Sequence, residues 1–247
     1  MRWSALWLVL FSAAALAQSV ISPGTVLPLQ LVCSLNSQKS KPGQIITARI
    51  MQDVPLSPRE WIHAGTKVTG RVLVVKAAKD EQPAEITLRF EKLKFAHQSA
   101  PISTSLRVLA SMMEVEEAQV PATGPDRGTP WAWTTRTLVG GEVAYGQGGP
   151  VARGDEIVGH ALADGVLVPV EANPASGCRG EVAGNSRLQA LWVFASDACG
   201  VYGIADMHIT HAGRTAPVGD ITLTLKSKNF DIRSGSGMLL RVNGANQ

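Results

Sequence analysis

Asp206, His208 and His211, in the run Ala-Asp-Met-His-Ile-Thr-His, are the residues of this chain that come closest in type to a metal-ligand set. On a strand Asp206 and His208 share a face and His211 points away, so one ion would need a bulge or turn between them. The spacing therefore reads as a solvent-facing polar strand, and no metal site is expected. Asp155, Glu156, His160 and Asp164 offer acid and base groups close together in sequence. Acid–base catalysis needs such groups held across a substrate in tuned environments, and Asp155 and Glu156 fall on opposite faces of any strand. No serine stands in a G-x-S-x-G elbow, since Gly235-Ser236-Gly237 lacks the spacing. Gly146-Gln147-Gly148-Gly149-Pro150 has the wrong third glycine, and a proline, for a phosphate loop. No cofactor is expected.

Aromatic and sulfur side chains suggest binding and crosslinking. Trp131, Trp133 and Tyr145 lie in a Gly/Pro-punctuated stretch, Pro121 to Pro150, that has no apolar periodicity. Exposed aromatics supply large contact areas to a sugar, peptide or protein partner; the alternative is that they cap the open end of a barrel. A loop of this length inside a compact domain has a function or partial order, and Thr135 to Val143 reads as a helix or short strand. Cys33 falls on the apolar side of a period-two run and reads as a buried free thiol, whereas Cys178 and Cys199 flank a Gly-rich segment. In an oxidising compartment those two pair, and closing that loop stabilises the chain by about 3 kcal/mol.

The elements that must position these groups are strands. Thr25 to Leu35 alternates Leu27, Leu29, Leu31, Cys33 and Leu35 against Val26, Pro28, Gln30 and Ser34. Pro28 cannot donate a ladder hydrogen bond, which predicts an edge strand or a strand start. Gln44 to Val54 and Thr66 to Lys76 repeat the alternation, and Ala84 to Phe95 changes phase near Leu93, which predicts a bulge. A fifth strand covers Ile102 to Met112, with a charged extension through Glu116 and Glu117. Arg153 to Ala161, Gly165 to Val170, Met207 to His211, Ile221 to Lys226 and Met238 to Val242 complete the pattern. The prediction is an all-β fold, an antiparallel barrel or sandwich with a disulfide-linked insert and a long Gly/Pro/Trp loop.

The first residues bound the compartment. Met1-Arg2, an apolar run from Trp3 to Leu16 and the exit Ala15-Leu16-Ala17 read as a cleavable signal peptide, too short for a permanent span. Residues 18–247 then form one barrel-like domain with insertions at about 121–150 and 173–206, and no later segment has the length of a transmembrane helix. The 23 Lys and Arg against 20 Asp and Glu leave little excess charge. With no basic stripe on any one strand or helix, nucleic acid is not an expected partner. The expected location is periplasmic or secreted, with outer-membrane association as one form of it.

The opening motifs carry a resemblance. Pro23-Gly24-Thr25-Val26-Leu27-Pro28, then Pro42-Gly43-Gln44-Ile45 with Gln52-Asp53-Val54, then Ile62-His63-Ala64-Gly65-Thr66-Lys67-Val68-Thr69-Gly70 is similar to the C-terminal β-barrel of TrbI-type proteins, the outer-membrane core-complex subunits of conjugation and type IV secretion machines. The closing Ile232-Arg233-Ser234-Gly235 with its apolar strand resembles the end of that domain. His63 departs from the family's proline, and the family's inner-membrane anchor and outer-membrane helical hairpin have no counterpart in the sequence. The resemblance implies a free-standing envelope barrel that acts as a structural or interaction module toward an envelope protein. The alternatives are a carbohydrate or peptidoglycan binder using the Trp131 loop, and a hydrolase.

Overall fold

The computed structural model describes residues 21–95, 98–119, 134–145, 150–153, 156–162, 165–169 and 188–244. The leader, Trp131, Trp133, Asp155, Asp164 and Cys178 lie outside the described residues.

The first half is strand after strand, as its alternation requires. β1 (Val26–Leu31), β2 (Leu35–Asn36) and β3 (Ile45–Ile50) are followed by a short hairpin of β4 (Val54–Ser57) and β5 (Glu60–Ile62). The long pair β6 (Lys67–Lys76) and β7 (Ala84–Phe95) leads to β8 (Gln98–Pro101) and β9 (Thr104–Ala110). The charged extension beyond β9 is a helix, α1 (Met112–Gln119), which corrects its reading as strand. Its acidic residues alternate with nothing; Val115 and Ala118, three apart, are the pair it buries.

The chain then builds β10 (Thr134–Leu138), β11 (Gly141–Tyr145), β12 (Pro150–Arg153), β13 (Glu156–Leu162), β14 (Gly165–Pro169) and β15 (Leu188–Ala190). It ends with β16 (Gly200–Tyr202), β17 (Met207–His211), β18 (Ile221–Leu225), β19 (Asp231–Ile232) and β20 (Gly237–Val242). The segment expected around Thr135 to Val143 is thus a hairpin, β10–β11, and the strand expected over Arg153 to Ala161 is divided between β12 and β13.

A ten-stranded sheet runs in the order β16-β9-β20-β1-β3-β6-β7-β18-β17, with β8 attached to β7. Its end strands β16 and β17 come back against one another, so the sheet is nearly closed and barrel-like. Every pairing is antiparallel except β16 on β9, which is parallel; the sheet is therefore mixed, a correction to the antiparallel expectation. Inside it lie Leu27, Leu29, Ile46, Ile50, Leu88 and Phe90, all fully buried. Each such side chain contributes about 1.5–3 kcal/mol relative to exposure.

The phase change near Leu93 has the predicted cause. Thr69 pairs with Lys92 and Gly70 with Phe90, so Glu91 is an extra residue in β7 and Leu93 returns to the interior opposite Val68. Gly70 is required there: a Cβ would lie 2.0 Å from the Arg89 carbonyl oxygen and 2.8 Å from Phe90 Cα.

β1 is central, not an edge, because β20 and β3 flank it. Proline is tolerated because the ladder to β3 begins only at Leu29, opposite Ile50, and so does not call on the N–H that Pro28 lacks. The Val26 amide finds the Gln189 side chain at 2.9 Å instead, and the Pro28 carbonyl accepts from Met51 N–H at 3.0 Å. The strand also stops at Leu31, earlier than the expected Leu35, leaving Cys33 half-buried with its sulfur 3.5 Å from the Thr47 amide.

β9, β20 and β1 are buried on both faces. Outside them a second core gathers Val26, Val108 and Leu239 with Val115 of α1, Trp192 and Phe194. A six-stranded antiparallel sheet, β10-β11-β12-β13-β14-β15, shares that core. Near-continuous burial along one strand is the mark of a layer covered on both sides.

Candidate functional site at the barrel seam

The seam between the two end strands is where polar side chains converge. Its local cause is a bulge: Leu239 pairs with Val108 and Leu240 with Leu106, so Arg107 is an extra residue in β9. Though 3 % exposed, its guanidinium is engaged: Nε donates to the Ala198 carbonyl at 2.9 Å and Nη2 to the Ser196 carbonyl at 2.8 Å. Those bonds fasten the 196–198 turn to the barrel. A cleft of about 200 Å³ lies beside it, lined by Arg107, Cys199, Val201, His208 and Arg214. A larger one, about 640 Å³, continues along β17 past Ser105, His211, Arg214, Arg241 and Asn243.

The histidines of β17 are placed by a further bulge. Ile209 pairs with Leu223 and His211 with Thr222, so Thr210 is an extra residue. That bulge turns His211 to the same outward face as His208, opposite to the simple alternation read from the sequence. Its ring is nonetheless engaged at both nitrogens. Nδ1 lies 2.6 Å from the Asp220 carbonyl oxygen, to which it donates, and Nε2 accepts from the Thr215 hydroxyl at 3.2 Å. Asp206 sits before the strand with φ 61°, in the left-handed region. Among the described residues, no group of three or more His, Cys, Asp or Glu could hold a metal ion.

Of the other residues singled out by type, His160 and Tyr145 stand in the second sheet. His160 is exposed in β13 and paired in register with Leu167. Tyr145 ends β11 opposite Thr134 and Val151. Cys199 lies on the seam, where its amide donates to the Tyr202 hydroxyl at 3.1 Å. Cys33 is the free cysteine among the described residues.

Sequence reasoning missed the residues that join barrel to second sheet. Gln52, 1 % exposed, donates from Nε2 to the Val166 carbonyl at 3.0 Å and accepts from the Trp192 amide at 2.5 Å. It stands in the Gln-Asp-Val motif, whose other members also have structural tasks. Asp53 Oδ1 accepts the Ala64 amide at 2.7 Å, fixing the turn into β6, and Val54 is fully buried. A glutamine between two apolar strands was the available signal, because a buried amide needs partners on both of its ends.

On the outer wall of β6 and β7, Arg71 and Arg89 face each other. Each is matched. Arg71 Nε lies 2.7 Å from Glu91, whose hydrogen bond and charge raise the guanidinium above its ordinary value. Arg89 Nε donates to Asp220 at 2.6 Å.

Comparison of the chain with family models, with curated proteins and with solved structures gave no match, so the fold and the seam stand on the residues themselves.

Proposed function

We propose that the protein is an exported module of the bacterial envelope, a barrel of the TrbI type, that works by holding another envelope protein. The observation that carries this reading is where the two separated pieces of the resemblance stand. Ile232 pairs with Leu35, the Ser234 amide donates to Ser34 Oγ at 3.0 Å, and the Gly235 amide donates to the Leu31 carbonyl at 2.8 Å. The closing motif thus docks at the end of β1, the strand that the first opening motif begins, about two hundred residues earlier in the chain. Gly24, Gly43 and Gly65 of the opening motifs all turn with φ near 85°, which glycine adopts without the Cβ penalty.

The Cys178–Cys199 crosslink belongs to the same reading, because an exported chain folds where thiols oxidise. Under non-reducing digestion the peptides bearing Cys178 and Cys199 are expected to travel as one species and to separate on reduction. Two independent thiol peptides would count against both the crosslink and the compartment. The role itself is tested by purification of the tagged protein from the envelope of cells that produce it. Co-purification of a membrane or secretion-machine component is the expected result, and recovery of the protein alone from detergent-solubilised envelope would overturn the role.

A further inference from the structure

The outward wall of β3, β6 and β7 carries a row of cations that only the strand register assembles. Arg49 pairs with Lys67, Lys67 pairs with Lys94, and one step along the same face Thr69 pairs with Lys92. All four cationic side chains are exposed. Neighbouring strands lie about 4.8 Å apart, so the row packs three positive charges across roughly 10 Å. Like charges placed directly opposite on a sheet destabilise it.

The rest of the same wall avoids this cost. Arg71 is matched by Glu91 and Arg89 by Asp220, and Lys76 lies 3.2 Å from Glu85. Among the described residues none of Arg49, Lys67, Lys92 and Lys94 has a carboxylate within ion-pair distance. The unmatched cluster is therefore local, not a property of the whole barrel.

Its shape narrows the partner. Each of these strands already has ladder neighbours on both sides, so the wall has no free edge for an added peptide strand. Neither seam cleft includes any of the four residues, so they do not enclose a small anion there. The cations stand on the convex outside of a barrel-like sheet, in two dimensions, with Lys92 displaced along the strand from the row. Such an array complements an extended anionic surface better than a single-file polymer.

We propose that this wall docks the protein onto a membrane surface bearing anionic phospholipid headgroups, through Arg49, Lys67, Lys92 and Lys94. The attachment is electrostatic and peripheral, each cation near the surface strengthening partition about fivefold. Because it acts within a Debye length, it weakens as salt rises. It goes beyond the proposed protein partner and does not rest on it.

The test is co-sedimentation of the purified protein with phosphatidylcholine vesicles, with and without phosphatidylglycerol. Binding is expected only when phosphatidylglycerol is present, and it should be lost in high salt. Lys67→Gln with Lys94→Gln should lower partition about 25-fold, without loss of melting temperature, because both side chains are exposed and the change removes a like-charge pair. Lys39→Gln with Lys41→Gln removes the same charge from an exposed loop and should leave partition nearly unchanged. Absence of sedimentation with phosphatidylglycerol vesicles, or equal loss in the two double variants, would overturn the proposal. So would Lys67- and Lys94-dependent binding to soluble polyphosphate without vesicle binding, which would make the wall a polyanion site. None of these outcomes bears on whether a protein partner co-purifies.

Discussion

Gly70→Val is expected to abolish the cooperative fold of the barrel. The added Cβ meets the Arg89 carbonyl oxygen at 2.0 Å and Phe90 Cα at 2.8 Å, and both are backbone atoms of the neighbouring strand. No rotamer change relieves such a clash, so β6 and β7 must separate. That is the pair around which the Glu91 bulge turns the wall and beside which the fully buried Phe90 sits. The expected loss exceeds about 4 kcal/mol, the range reserved for strain and core disruption. Gly65→Ala provides the contrast, because a Cβ there has open space and only the left-handed backbone, φ 84°, opposes it. That cost is about 1–2 kcal/mol. Urea unfolding followed by circular dichroism separates the two: a displaced transition for Gly65→Ala, and no native baseline for Gly70→Val. Equal, modest shifts would show that the β6–β7 approach is not what requires glycine.

Gln52→Ala is the second large effect. Truncation leaves the buried Trp192 amide without its acceptor, while the Val166 carbonyl keeps the bond it accepts from the Leu191 amide at 3.1 Å. One unsatisfied buried amide costs about 1–3 kcal/mol, and the second bond lost at Val166 adds about 1 kcal/mol. The lesion falls on one junction, between the barrel-like sheet and the β14–β15 side of the second sheet, and so should act locally before it acts globally. Hydrogen exchange is expected to accelerate first across Gly165–Pro169 and Leu188–Ala190, while β6, β7 and β18 keep their protection. Gln189→Ala, which removes the acceptor of the Val26 amide, should loosen the same junction by a similar amount. Uniform acceleration across the barrel in Gln52→Ala would mean that the two sheets do not open separately.

These residues also show which parts of the molecule the sequence discloses. β3 and β18 are legible because one face is buried and the other exposed, so their apolar residues alternate. The bulge at Glu91 is legible for the same reason, as an interruption of that alternation. β9, read as a strand over Ile102 to Met112, is found at Thr104–Ala110, but its continuation into α1 carries too few apolar residues to announce a helix. Pro28 misleads because a proline signals a missing donor, not a missing neighbour. β1 meets that constraint at the end of one ladder while remaining central in the sheet.

The sites are less legible than the frame. Arg49, Lys67 and Lys94 sit in three different strands and become a cluster only through register, which the spacing along any one strand does not show. His208 and His211 changed relative orientation through one extra residue, Thr210, which no local pattern marks. Gln52 enters the sequence reading only as part of the Gln-Asp-Val motif, yet its side chain joins the two sheets. In each case the property depends on what lies across a strand or on an inserted residue, and neither is written into the spacing along the chain.

The proposed envelope role is tested most directly by photo-crosslinking in cells that produce the protein. Light-activated residues are introduced at Met113 and Ile157, each 64 % exposed, and at Thr69 on the barrel wall. The account predicts that the protein fractionates with the envelope, without residues 1–17, and that at least one position yields a discrete adduct with a membrane or secretion-machine protein. Recovery from the cytosol with residues 1–17 retained, or an envelope-located protein that forms no adduct from any of the three positions, would contradict it.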